Sequence, residues 1–210
     1  MRRLFASAAA ILLLFGASAL GFGQERDLQL TTNIVSQQVC MVNKKLDALQ
    51  LTLQLRYTNR GSRKLILYKG FRIFYQAFIS RSQEEAAAQK YELRTTHARF
   101  YDEQPEKIEG SVPGSAFIIL SPGSVYEAKQ VLVMPVTRDG EPLVNSSIAA
   151  GEHLLYLSVS TWYESKKLAD SLRERWRGRG FLWTDTLAST SINFNVGHER
   201  PAMTCQSTSR

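Results

Sequence analysis

Leu49, Leu51, Leu53, Leu55 and Tyr57 alternate without a break with Gln50, Thr52, Gln54 and Arg56. A period of two places the five apolar side chains on one face, so this stretch predicts a half-buried β-strand. Asn59, Arg60, Gly61 and Ser62 then supply turn chemistry, and residues 64–68 resume an extended apolar run before Gly70, which predicts a β-hairpin. Residues 71–79 are apolar on both faces and rich in aromatic side chains, as suits a central strand covered from both sides.

The same reading gives strands at residues 28–35, 116–120, 126–136 and 192–196. After Gly151, another has Leu155, Leu157, Val159, Thr161 and Tyr163 on one face. Turn formers such as Pro122 with Gly123, and Asp139 with Gly140, separate them. About seven strands at this spacing predict a mainly β fold, an antiparallel β-sandwich with one or two short helical insertions. In strand number and turn spacing, residues 26–197 resemble the immunoglobulin-like and fibronectin-like sandwiches. That resemblance implies architecture alone, since such sandwiches carry many unrelated functions.

Two stretches break the period. In the insertion at 82–114, Ser82 stands three residues before Glu85 and opens an alanine-rich run, which predicts a short capped helix. Residues 91–101 suit an edge strand, and 102–114, with two prolines and two glycines, a loop. In the insertion at 165–180, Leu168, Leu172 and Trp176 recur at helical spacing, and Gly178 and Gly180 supply a stop. The opposite face of this amphipathic helix carries Lys166, Lys167, Arg173, Arg175, Arg177 and Arg179 against Asp170 and Glu174. With Trp176, those six cations form the candidate contact surface. If the leucine and tryptophan stripe packs inward, the cations are a solvated face; if Trp176 is displayed, the segment is a surface for anionic ligands. Trp162 and Trp183 flank the same segment, which adds sugar stacking to the options beside simple core packing.

No strand pattern begins before residue 26. Residues 1–23 carry Arg2 and Arg3, an apolar run over 8–15, and then Gly16, Ala17, Ser18 and Ala19, the layout of a cleaved signal peptide. The apolar run is too short to span a bilayer. Cleavage after Ala19 or after Gly23 satisfies the small-residue rule, and the mature chain from about residue 24 to 210 is expected to be one exported domain, periplasmic or extracellular, with no transmembrane span. Removing residues 1–23 takes away two arginines and no acid, reducing the formal charge from +7 to +5. Export directs that surplus away from nucleic acid and toward anionic lipid or acidic glycan. It also makes Cys40 and Cys205, the two cysteines of the chain, a disulfide pair.

Local catalytic motifs are absent. His97, His153 and His198 are widely spaced, and there is no nucleophile elbow, phosphate-binding glycine loop or dinucleotide fingerprint. No metal or cofactor is expected. The sequence therefore predicts a non-catalytic binding domain that engages another envelope or extracellular protein. The alternatives are a module for anionic membrane or acidic glycan built on the basic segment, and a secreted hydrolase with dispersed carboxylates.

Overall fold

A computed structural model describes residues 27–43, 45–70, 73–98, 108, 110–137, 147–201 and 203–205. The signal peptide expected at 1–23 lies outside them, as does most of the loop expected at 102–114. The chain is mainly β. The first strand, β1 (Leu28–Val42), pairs antiparallel with β2 (Leu46–Asn59) along its whole length, with a one-residue bulge between Ile34 and Ser36. The other side of β2 pairs antiparallel with β7 (Val125–Pro135). The alternation read from the sequence is the observed one: Leu49, Leu51, Leu53, Leu55 and Tyr57 are all buried.

The hairpin expected from residues 59–62 is not formed. β3 (Leu65–Tyr68) makes no ladder with β2; it pairs antiparallel with β6 (Phe117–Leu120) and in parallel with β9 (Phe181–Leu182). The chain turns a corner at 60–64 instead of reversing, and Asn59 is the reason. Its side chain is fully buried: Nδ2 donates to the carbonyls of Arg63 and Leu120, both at 2.8 Å, and Oδ1 accepts the Gly61 N–H at 3.0 Å. Its backbone N–H donates to Ser124 O at 3.1 Å, and its carbonyl accepts the Gly123 N–H at 2.9 Å. One residue thus joins the corner between β2 and β3 to the matching turn between β6 and β7.

A further sheet has the order β10 (Thr186–Ala188), β8 (Gly151–Ser160), β4 (Phe74–Ser80), β5 (Leu93–Ala98), and β11 (Ile192–Val196) pairs with the first half of β8. β4 is a central strand and β5 an edge, as the pattern predicts. Residues 181–182 and 186–188 gave no periodicity to read because two or three residues cannot show one. Two short helices, α1 (Gln83–Ala87) and α2 (Lys166–Arg175), are both capped: Ser82 Oγ accepts the Glu85 N–H at 3.1 Å, as the sequence predicts, and Ser165 Oγ accepts the Leu168 N–H at 3.2 Å, a cap the sequence reading missed. No helix among the described residues is long and apolar enough to cross a membrane.

Residues of all three sheets and α2 contribute to one buried apolar cluster. Near its centre, Tyr57 of β2 meets Tyr75 of β4. Burial, reinforced by the neighbouring phenols of Tyr75 and Tyr126 and by a hydrogen bond with Tyr75, pushes the Tyr57 hydroxyl well above its usual pKa. The folded chain therefore keeps this phenol neutral while the unfolded chain ionises it near pH ~10. Below that pH the group gives no slope. Above it, stability falls by up to ~1.4 kcal/mol per pH unit until the folded phenol ionises too. Urea titrations from pH 8 to 11 should show this alkaline slope reduced in Tyr57→Phe; an unchanged slope would count against the assignment.

The disulfide predicted by the cysteine pair is present: Cys40 of β1 is bonded to Cys205. Beside it the Met41 N–H donates to Met203 O at 2.9 Å and the Cys205 N–H to Met41 O at 3.0 Å, so the last described residues lie along the end of β1.

Candidate functional site

The stripe of α2 packs inward. Ala169, Leu172 and Trp176 are buried, with Trp176 only 1% exposed. The indole lies edge-on against Phe117, with centroids 5.0 Å apart, and its Nε1–H donates to Gly110 O at 3.1 Å. This corrects the candidate contact surface. Trp176 is a core residue, because the same i, i+4, i+8 spacing that makes the helix amphipathic carries the indole beneath it. Trp183 is likewise buried, with Nε1 bonded to Asp185 O at 2.9 Å, so the tryptophans present no exposed stacking platform together.

The six cations of the segment are divided by the fold. Lys166 and Lys167 occupy the first turn, about 15 Å along the helix axis from its end. Arg175 faces Gly110, whose carbonyl lies 3.5 Å from Nη1. Arg173, Arg177 and Arg179 instead border a cleft of about 390 Å³, together with Arg63, Lys64, Gly178, Gly180 and Phe181. The remaining two cations, Arg63 and Lys64, come from the corner after β2. Their nearness to the basic helix was not readable locally, although the run of Arg60, Arg63 and Lys64 was a visible concentration of charge.

Backbone pairing brings the two segments together. As the chain leaves α2, the Arg179 N–H closes on Trp176 O at 2.7 Å, and the Phe181 N–H donates to Lys64 O at 2.9 Å to start the parallel β3–β9 pair. Gly180 allows this approach. Its φ is +154°, and a Cβ there would stand 2.9 Å from Lys64 O, so a side chain would meet both backbone strain and a clash.

Phe181 forms part of the wall and orders two of the cations. The Arg63 guanidinium carbon lies 3.9 Å and that of Arg173 4.6 Å from its ring centroid, each contact adding about 0.5–1 kcal/mol at such exposed positions. Arg173 is further fixed by Nε to Leu182 O at 3.1 Å, Nη2 to Thr184 Oγ1 at 2.6 Å, and Nη1 to Asp170 at 3.0 Å. Arg63 Nε pairs with Asp27 at 3.0 Å and Arg177 with Glu174 at 3.0 Å. These carboxylates bind from outside; none borders the cleft. Lys64 and Arg179 have no ion-pair partner among the described residues. The group therefore holds a surplus of two positive charges, on the two cations without carboxylate neighbours.

One other polar cluster has the residue types of catalysis. His153 is buried, with Nε2 2.9 Å from Ala149 O and Nδ1 3.2 Å from Glu92 Oε2, a close contact without hydrogen-bond alignment. Glu92 Oε1 accepts from Arg81 Nη2 at 3.2 Å and from the Ala149 N–H at 2.9 Å. Phe194 stacks on the imidazole at 5.3 Å. The imidazole is closed off from solvent, and the cluster ties residue 149 to the start of β5. Its geometry is that of a structural clasp. The described residues hold no group of three His, Cys, Asp or Glu side chains placed to bind a metal.

No protein-family model and no curated protein matches the chain. Among solved structures it is similar to one described as the X-ray structure of Northeast Structural Genomics Consortium target SoR45. The two are 9% identical, with a TM-score of 0.32 over 80% of this chain and 85% of that one, a likeness too slight to carry any functional argument.

Proposed function

We propose that the protein is an exported, non-catalytic binding domain, an immunoglobulin-like sandwich in broad architecture, and that its ligand-binding surface is the basic cleft between the end of α2 and the corner preceding β3. The observation that carries this is the convergence of five cations from two distant segments on one concavity with no acidic lining. Such a surface concentrates anions and orients them by charge-assisted hydrogen bonds. Anionic lipid headgroups and acidic glycans fit it. A protein partner is a second reading, favoured by β7, whose eleven residues pair on one side with β2 and on the other with no described strand, leaving a row of backbone groups suited to strand addition.

The test compares retention on immobilised acidic polysaccharide and on phosphatidylglycerol vesicles as salt is raised. Wild type should bind both in a salt-sensitive manner. A Lys64→Glu, Arg179→Glu double variant should lose about tenfold or more in affinity. A Lys166→Glu, Lys167→Glu variant, with the same change in charge at the far end of α2, should be nearly unaffected. Equal losses in the two double variants would show diffuse charge attraction and sink the cleft as a site.

A further inference from the structure

The cleft is more selective than a patch of positive charge, and the selection follows from how its cations are already engaged. Arg63, Arg173 and Arg177 each have a carboxylate neighbour, whereas Lys64 and Arg179 have none among the described residues. A monoanion would leave one of those two charges uncompensated. The exposed ring faces do not invite stacking, because two guanidiniums already lie against Phe181. None of the large exposed apolar side chains, Val35, Leu46, Val112, Ile119, Val125 and Met203, borders the cleft, so it offers no seat for an acyl chain. A volume of about 390 Å³ suits one charged group with an attached ring or headgroup, at the small end of ligand sites.

Resting on the anion-binding reading above, we propose that the cleft recognises a phosphomonoester, carried either by a free sugar phosphate or by a phosphorylated lipid headgroup. At neutral pH such a group bears close to two negative charges on three terminal oxygens. Lys64 and Arg179 neutralise the charge. Arg63, whose Nε is held by Asp27 and whose plane is fixed by Phe181, offers its Nη hydrogens as a preorganised fork.

Calorimetric titration at matched ionic strength with glucose 6-phosphate and with glucuronate separates a dianion from a monoanion on the same ring. Sedimentation with phosphatidate vesicles and with phosphatidylglycerol vesicles does the same for lipid headgroups. Glucose 6-phosphate should bind about tenfold or more tightly than glucuronate, or phosphatidate than phosphatidylglycerol, and which pair responds identifies the source. Lys64→Ala and Arg179→Ala should each remove most of that preference; both side chains are exposed, and circular dichroism provides the check on folding. Binding of all four probes without preference would overturn the phosphomonoester inference and leave the anion cleft standing. Binding of none would overturn both.

Discussion

Replacing Asn59 with Asp is expected to cost the fold about 4 kcal/mol at neutral pH. The native amide, itself fully buried, donates to two carbonyls 2.8 Å away and accepts one N–H, the Leu120 contact buried and the Arg63 and Gly61 contacts half-buried. Aspartate keeps the acceptor but turns the two-donor end into an oxygen facing two other oxygens. It also brings a negative charge to a fully buried side-chain position. Each buried partner left unmade costs about 1–3 kcal/mol, and the unpaired charge adds to that. Protonation restores one donor, so the introduced carboxyl should have a raised pKa in the folded state and the deficit should shrink on acidification. Urea unfolding at pH 7 and pH 4 measures both effects. A deficit below ~1 kcal/mol, or one that does not change with pH, would show that the corner is held by something else. The Arg63 carbonyl is one of the three contacts, so the same substitution should also loosen the cleft.

The second large effect concerns the bridge. A Cys40→Ser, Cys205→Ser double variant should lose up to about 5 kcal/mol, because a loop of 165 residues is closed in the oxidised unfolded chain and open in the variant. Total stabilities of domains are about 5–15 kcal/mol, so the change approaches the whole stability of a marginal fold. The urea midpoint of the double variant, and that of wild type held reduced, should fall together. If both stay within ~1 kcal/mol of the oxidised protein, the entropic account fails and the bridge only pins the chain end.

What could be read from residue order follows the range of the forces involved. Strand alternation, the Ser82 cap and the stripe of Leu168, Leu172 and Trp176 depend on near neighbours, and each appears where the pattern placed it. Residues 59–62 have the composition of a tight reversal, yet whether such a turn reverses the chain or steps it sideways is decided by Leu120 and Ser124, some sixty residues away. The cleft was hidden for the same reason. Three of its five cations, Arg173, Arg177 and Arg179, were visible in the segment at 165–180, but Arg63 and Lys64 join them only through the β3–β9 pairing and the bare Cα of Gly180. The cysteine pair was readable at any separation because compartment and parity, not distance along the chain, determine it.

The bulge at Val35 decides where that pair can meet. Ahead of it Leu30 stands opposite Tyr57 and Ile34 opposite Leu53; beyond it Val39 stands opposite Leu49 and Cys40 opposite Ala48. One inserted residue therefore reverses the parity of β1, so that Val39 shares the face of Leu49 and Cys40 takes the opposite face with Ala48, where it too is buried. Without it the thiol would point into the leucines of β2, away from Cys205. Strand frame and bridge are thus one condition: the register that the bulge sets between the two longest strands is the one that brings Cys40 to Cys205.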